Sequence, residues 1–142
     1  IADSRYNIGE YTDCILKPNE VECWRAVYNN EGYIDAGYDE FIDAAKLLAK
    51  KNRSTVFCTL GKRGSIVTDD DRTEKADAVL FDGEVDICGA GDTSLSAFSA
   101  AIAAKTELKA AAQFAGLASG VTVRKIGITG TASPEEIEAL AQ

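Results

Sequence analysis

Apolar residues recur at intervals of three and four positions over much of the chain, a spacing typical of amphipathic helices. This pattern predicts helices over residues 20–28, 38–51, 91–104 and 107–123, the last two rich in alanine. A fifth helix is predicted to begin after Ser133, because Ser133-Pro134-Glu135-Glu136 combines an N-cap, a proline at the first helical position and a capping-box glutamate.

Short runs of apolar and β-branched residues alternate with these helices. They predict strands at residues 1–3, 14–16, 55–60, 65–68 and 78–80. The three adjacent aspartates at residues 69–71 are interpreted as a solvated hairpin tip rather than a metal site. Strands that alternate with helices predict an α/β fold with a largely parallel sheet and one antiparallel hairpin.

Composition narrows the function classes. A net charge of −8 over 142 residues argues against coating nucleic acid or binding a membrane surface through a basic helix. The chain has no histidine, which removes histidine triads and histidine metal sites. No apolar stretch is long enough to span a membrane. Four scattered cysteines are interpreted as buried free thiols, so a cytoplasmic location is expected.

The most informative run is Asp86-Ile87-Cys88-Gly89-Ala90-Gly91-Asp92-Thr93, directly before a predicted helix. Glycines allow a tight turn that brings backbone amides close to a ligand. The unpaired N–H groups and the dipole of the helix start add positive potential. The turn Gly89-Ala90-Gly91 is therefore predicted to form an anion hole suited to phosphoryl oxygens.

Asp92 follows this turn and has two interpretations. As an N-cap it would stabilise the helix by about 1 kcal/mol. As a catalytic base it would accept a hydroxyl proton while the anion hole stabilises a transferring phosphoryl group. No lysine follows the glycines, so the run is not a Walker A loop, and it lacks the dinucleotide pattern.

The run resembles a signature of the ribokinase-type (PfkB) carbohydrate kinases, and three further segments resemble that family in the same order. They are Ile15-Leu16-Lys17-Pro18-Asn19-Glu20-Val21-Glu22, Thr59-Leu60-Gly61-Lys62-Arg63-Gly64 and the stretch from Phe114-Ala115-Gly116 to Lys125. The resemblance implies a ribokinase-like three-layer α/β fold. It also implies that residues 1–142 form the C-terminal, ATP-binding part of a sugar kinase.

The resemblance also assigns roles. Asp92 would be the catalytic base, with Gly89, Ala90 and Gly91 as the anion hole. Glu22 would help to organise Mg²⁺ through water. Asp86 would bind a monovalent cation such as K⁺ together with carbonyls of residues 127–131. ATP would contact Asn19, Thr59, Gly61, Gly64 and Gly116.

Two positions depart from the family pattern. Gly116 stands where many relatives have asparagine, so the contacts to adenine must differ there. Ile87 stands where a threonine is usual, which weakens the expectation of a cation site. The family's sugar-binding N-terminal half and its lid are absent, and the chain, which starts at Ile1 and has no methionine, is interpreted as a piece of a longer protein. That missing half is expected as its partner, and a homodimer stays open.

Several functions remain possible at this point. Residues 2–5 and 123–134 resemble the heptose-phosphate kinase branch, which favours a sugar phosphate as substrate. A fructokinase-like or ribokinase-like enzyme acting on a free sugar is the main alternative. A nucleotide-binding fragment without activity of its own and an unrelated phosphate-binding protein are the others.

Overall fold

The computed structural model describes residues 1–69 and 71–142, and these residues form two compact units, Ile1–Ala76 and Asp77–Gln142. The first unit contains α1 (Glu20–Tyr28), α2 (Tyr38–Asn52), β1 (Val56–Thr59), β2 (Ser65–Thr68) and β3 (Thr73–Ala76). The second contains α3 (Ala90–Ala103), α4 (Leu108–Thr122) and α5 (Pro134–Ala141). The five predicted helices are confirmed to within one residue at most ends.

The two helices of the first unit pack on its sheet around one hydrophobic core. Phe41, Leu48 and Leu16 are fully buried there. Glycine at the N-cap and Arg53 in a left-handed C-cap bound α2. Lys50 and Lys51 lie in its last turn, where positive charge is favourable to the helix dipole.

The sheet differs from the expected one. β1, β2 and β3 pair antiparallel in that order, and among the described residues parallel pairing is limited to single bridges such as Leu16 to Val56 and Asn19 to Thr59. Pro18 explains part of this, because a proline has no N–H to continue a ladder. Its carbonyl still accepts a hydrogen bond from the Thr59 amide at 3.0 Å.

The predicted strand at residues 78–80 is wrong, and β3 takes its place. Thr68 Oγ1 lies 2.9 Å from Thr73 Oγ1, and the pairing of Thr68 with Thr73 fixes the register of β2 against β3. Val79 instead packs against Gly120 of α4, at a place where an added Cβ would lie 3.3 Å from it. The apolar run therefore covers a helix rather than extending the sheet.

The described residues at the tip of the hairpin between β2 and β3 form a turn. Asp69 Oδ1 accepts hydrogen bonds from the amides of Asp71 and Arg72 at 3.0 and 2.8 Å. The prediction for Asp70 lies outside the described residues. Among the residues that the structure does describe, no cluster of three metal-ligating side chains occurs.

In the second unit, α3 packs along α4 through small side chains. Ala101, Ala111, Ala115 and Ala118 are buried in this part of the structure. Thr93 Oγ1 lies 3.2 Å from Thr122 Oγ1, which links the start of α3 to the end of α4. The first turn of α3 is thus held by a side-chain contact as well as by packing.

The cysteines and the helix lengths bear on two further expectations. All four cysteines are free thiols, but Cys88 is exposed, so its expected burial is wrong. Cys88 lies in the loop before α3, next to Ile87, which is also exposed. In the described part of the chain, no helix combines the length and apolar character that crossing a membrane requires.

Two adjacent leucines on α2 give a direct test of the core. Leu48 is fully buried, whereas the side chain of Leu47 is 46% exposed. We expect Leu48→Ala to lower the free energy of unfolding by about 2–5 kcal/mol, because it leaves a cavity. Leu47→Ala is the matched control, and urea denaturation measures both. Equal losses in the two variants would contradict the assigned packing.

Candidate functional site

The predicted site residues belong to two groups, one in each unit. Asn19, Glu22, Thr59, Gly61 and Gly64 lie in the first unit, whereas Asp86 to Asp92 and Gly116 lie in the second. Each group is described within its own unit. That the two groups serve one nucleotide stays a prediction.

Asn19 and Glu22 form a capping box at the start of α1. The Asn19 side chain accepts from the Glu22 amide at 2.9 Å, and Glu22 Oε2 accepts from the Asn19 amide at 2.8 Å. The spacing of these two residues therefore has a structural role that explains their positions. Within the described residues, Asn19 Nδ2 and Glu22 Oε1 make no hydrogen bond, so both atoms remain available to a ligand.

The same edge of the first unit brings Thr59 beside Asn19 through a parallel bridge. Thr59 ends β1, and the following turn closes when the Leu60 amide donates to the Gly64 carbonyl at 2.8 Å. Gly61 is exposed and has open space around it. Two of the four family segments therefore meet in this unit, where Asn19 bridges the end of β1 at Thr59.

The buried environment of Lys17 was not predicted from the sequence. Its side chain is buried, and its ammonium lies 2.8 Å from Asp3 Oδ2. A buried charge needs such a partner, since desolvation without one is costly. The signal available in the sequence is a lysine directly after the apolar run at residues 14–16, with Asp3 in the other predicted strand of this region as a possible partner.

In the second unit, Gly89 is the N-cap of α3 and has a φ of 79°. This left-handed conformation favours glycine. A Cβ at Gly89 would lie 2.9 Å from Thr129 Cγ2, so the loop at Thr129 packs directly on the turn. Glycine is required here on two independent grounds.

Asp92 is the third residue of α3 and is not its N-cap. Its side chain is exposed and makes no capping hydrogen bond. The capping interpretation is therefore wrong, because the helix begins earlier, at Ala90. The catalytic interpretation stays a prediction.

Some of the backbone amides around this turn donate hydrogen bonds within the chain, and others do not. The Ala90 amide donates to the Ile87 carbonyl at 3.1 Å, and the first helical bond runs from the Thr93 amide to the Gly89 carbonyl. The amides of Gly91 and Asp92 have no acceptor in the described part of the chain. These two N–H groups are the ones that an anion could bind.

Asp86 ties the turn to the loop after α4. Its Oδ1 accepts from the Cys88 amide at 2.9 Å, and its Oδ2 accepts from the Gly127 amide at 3.0 Å. The Cys88 amide first, and then the Gly127 amide, hold the pKa of Asp86 below its usual range. The carboxylate is thus charged at neutral pH and joins two loops.

Gly116 lies half-buried on α4, and an added Cβ would lie 3.8 Å from the Asp77 carbonyl oxygen. That is ordinary van der Waals contact, so packing alone does not require glycine. A separate open cleft of about 690 Å³ contains none of the predicted site residues; it is lined by Lys46, Lys50, Asp69, Asp71, Arg72 and Thr73.

The family of the chain is shown by its match to a known protein family. Residues 11–136 match the family described as pfkB family carbohydrate kinase. The chain belongs to this family. The predicted α/β fold of ribokinase type is confirmed by solved structures of similar shape.

Two of those structures are phosphofructokinase-2 from Escherichia coli in complex with substrates and products and ribokinase from Arabidopsis thaliana complexed with ribose and ATP. The TM-score is 0.77 for both, with 19% and 23% sequence identity. They cover 94% and 90% of this chain and 41% and 40% of their own chains. At these identities the likeness concerns the fold alone.

Curated relatives are more similar in sequence. A bifunctional protein HldE from Nitratiruptor is 36% identical over 128 residues, and one from Hyphomonas neptunium is 34% identical over 125 residues. The alignments cover 87% and 88% of this chain but only 26% and 25% of the relatives. The chain therefore spans about a quarter of the length of the curated relatives that it matches.

The conformation of Gly89 can be tested against a second glycine. Gly127 has a φ of 74°, close to that of Gly89, but has no atom within 4 Å of an added Cβ. We expect Gly127→Ala to cost about 1–2 kcal/mol of unfolding free energy through backbone strain alone. Gly89→Ala should cost more, because its Cβ also meets Thr129. Thermal denaturation measures both, and equal costs would argue against close packing of the loop on the turn.

Proposed function

We propose that this chain is the C-terminal, ATP-binding and base-carrying part of a kinase that phosphorylates a hydroxyl of a sugar or sugar phosphate. The observation that carries the proposal is the environment of Asp92. An exposed carboxylate without a capping role stands on the first turn of α3, beside the unpaired amides of Gly91 and Asp92. Membership of the carbohydrate kinase family gives that arrangement its chemistry.

In the proposed reaction, Asp92 accepts the proton of the substrate hydroxyl as that oxygen attacks the γ-phosphorus of ATP. The bond between the γ-phosphorus and the β,γ-bridging oxygen breaks, and ADP leaves with that oxygen. The amides of Gly91 and Asp92 donate hydrogen bonds to the negative charge on the transferring group. The positive end of the α3 dipole adds to this stabilisation.

Besides their role as a cap, Glu22 fits a role in Mg²⁺ binding and Asn19 fits a role in binding phosphate. The capping box fixes both side chains while leaving the Asn19 Nδ2 donor available to a phosphate oxygen and the Glu22 Oε1 acceptor available to a water ligand of Mg²⁺. Mg²⁺ keeps several of its waters in such sites, so contact through water suits the Glu22 carboxylate. When bound with ATP, the ion neutralises phosphate charge.

A sugar phosphate of the heptose-phosphate class is the favoured substrate. Residues 2–5 and 123–134 resemble that branch of the family, and the HldE relatives are the more similar in sequence. The alternative of a free sugar, as for ribokinase, is supported by similarity of fold alone. A panel of heptose phosphate, fructose 6-phosphate, fructose and ribose, offered to the full-length kinase, distinguishes them by kcat/KM.

The proposed base is tested by Asp92→Asn in the full-length kinase. We expect kcat to fall about 10²- to 10⁴-fold, because the amide cannot accept the proton. The free energy of unfolding should change by less than about 1 kcal/mol, the size of the interaction between a first-turn carboxylate and the helix dipole, since the Asp92 side chain is exposed and makes no capping hydrogen bond. Asp82→Asn, at another exposed aspartate of the same unit, is the matched control. Retention of full activity in Asp92→Asn would rule out the proposed base.

The 142-residue chain by itself should bind ATP without phosphorylating a sugar. The reason is that the sugar contacts and the lid that excludes water are expected in the other half of the kinase. Calorimetry with ATP and Mg²⁺ measures binding, and a coupled assay of ADP release measures turnover. Sugar-dependent turnover of about 1 s⁻¹, the low end for kinases, would show instead that the chain alone is sufficient to phosphorylate a sugar.

A further inference from the structure

The loop at residues 126–131 packs against the turn that precedes α3. The Gly127 amide donates to Asp86 Oδ2 at 3.0 Å, and Thr129 Oγ1 lies 3.8 Å from Cys88 Sγ. Thr129 Cγ2 would also lie 2.9 Å from a Cβ on Gly89. The position of the turn that carries the free amides therefore depends on the position of this loop.

Lys125 holds the other end of the same loop. Its ammonium donates to the Thr131 carbonyl and contacts both carboxylate oxygens of Glu136, at 2.8 and 2.9 Å. Gly130 is buried, and a Cβ there would lie 2.6 Å from Lys125 Cδ. The loop thus lies on the aliphatic stem of Lys125 and is bonded to its charged end.

The partner of Lys125 is itself fixed. Glu136 Oε2 accepts from the Ser133 amide at 2.8 Å, and the Glu136 amide donates to Ser133 Oγ at 3.3 Å. This capping box starts α5, so the carboxylate is held by a helix terminus. Lys125 first, and then the Ser133 amide, lower the pKa of Glu136, which keeps this carboxylate charged at neutral pH.

Several of the acceptors that the family resemblance assigns to a dissolved cation already accept hydrogen bonds from groups of the chain. Each oxygen of Asp86 accepts a backbone amide, and the Thr131 carbonyl accepts the Lys125 ammonium. Ile87 offers no side-chain oxygen. A further cation would also share the loop with the positive charge of Lys125. Lys125 therefore already supplies a positive charge to one of the carbonyls that the family resemblance assigns to K⁺.

We infer that Lys125 is a positioning residue that serves as a built-in cation for residues 126–131, so that the Gly89 turn is ordered without dissolved K⁺. The interaction runs from Glu136 through Lys125 to Thr131, and from Gly127 through Asp86 to the turn. The structural part of this inference concerns the second unit alone. Its consequence for catalysis rests on the proposed function.

Hydrogen exchange of the Gly127 amide, followed by NMR in the 142-residue chain, tests the structural part. We expect equal protection in KCl and in tetramethylammonium chloride. Lys125→Met keeps the stem but removes the charge, and should lower protection about tenfold, the factor expected for one lost charge-assisted hydrogen bond. Lys125→Arg should restore it. Lys46→Met, at an exposed lysine of α2, is the control for loss of charge.

Two results would overturn the inference. One is protection of Gly127 that rises with K⁺ in the unmodified chain, and the other is protection unchanged by Lys125→Met. If Lys125→Met fails to fold, Glu136→Gln provides the second variant, because it weakens the hold on the ammonium while keeping the lysine. It should lower protection of Gly127 in the same direction, and no change would count against the inference.

Activity of the full-length kinase tests the consequence for catalysis and separates it from the proposed function. We expect equal turnover of ATP and sugar phosphate in the two salts. Turnover that requires K⁺ would overturn the built-in cation while leaving the kinase proposal intact. Absence of turnover with every sugar of the panel in both salts would contradict the kinase proposal, whereas the exchange measurement would still decide the role of Lys125.

Discussion

Gly89 has a left-handed conformation that directs the chain into α3. The loop after α4 packs so closely on it that a Cβ added at Gly89 would lie 2.9 Å from Thr129 Cγ2. This turn leaves the amides of Gly91 and Asp92 without acceptors. The Asp86 carboxylate fixes the turn from the side by accepting amides from both loops. The candidate anion site is therefore a property of backbone geometry rather than of positive side chains, which explains how an acidic chain can present one.

In the first unit, one pair of residues has two roles. Asn19 and Glu22 cap α1 reciprocally, and the parallel bridge from Asn19 to Thr59 brings the cap to the end of β1. A capping box needs only one acceptor from each side chain, so the remaining atoms stay available. The structural role and the proposed role in binding are thus compatible, and the spacing of three residues satisfies both.

Helices were predictable because their periodicity and their caps agree, as Ser133 and Pro134 illustrate at α5. β3 was not, because Thr73-Glu74-Lys75-Ala76 has too little apolar character, and its pairing with β2 decides its conformation. The apolar run at residues 78–80 was mistaken for a strand, although Val79 packs on α4. At both places, tertiary contacts override the local β propensity of the sequence.

The motif at residues 86–93 was recognisable in sequence, but its supports were not. The sequence indicates Glu136 only as part of a capping box. In the structure its carboxylate also accepts a hydrogen bond from Lys125, eleven positions away in sequence. Such a contact joins a residue of the loop after α4 to a residue of α5, and the periodicity of neither helix encodes it. Similarly, the early start of α3, which makes Asp92 a non-capping carboxylate, depends on the Gly89 conformation.

The central claim is that the turn before α3 binds the phosphates of a nucleotide. An NMR titration of the ¹⁵N-labelled chain with Mg²⁺ and a non-hydrolysable ATP analogue tests it most directly. The account predicts saturable shifts of the Gly91 and Asp92 amide resonances, accompanied by those of Asn19 and Thr59. Saturable binding that leaves the Gly91 and Asp92 amides unshifted, or no binding at millimolar analogue, would contradict it.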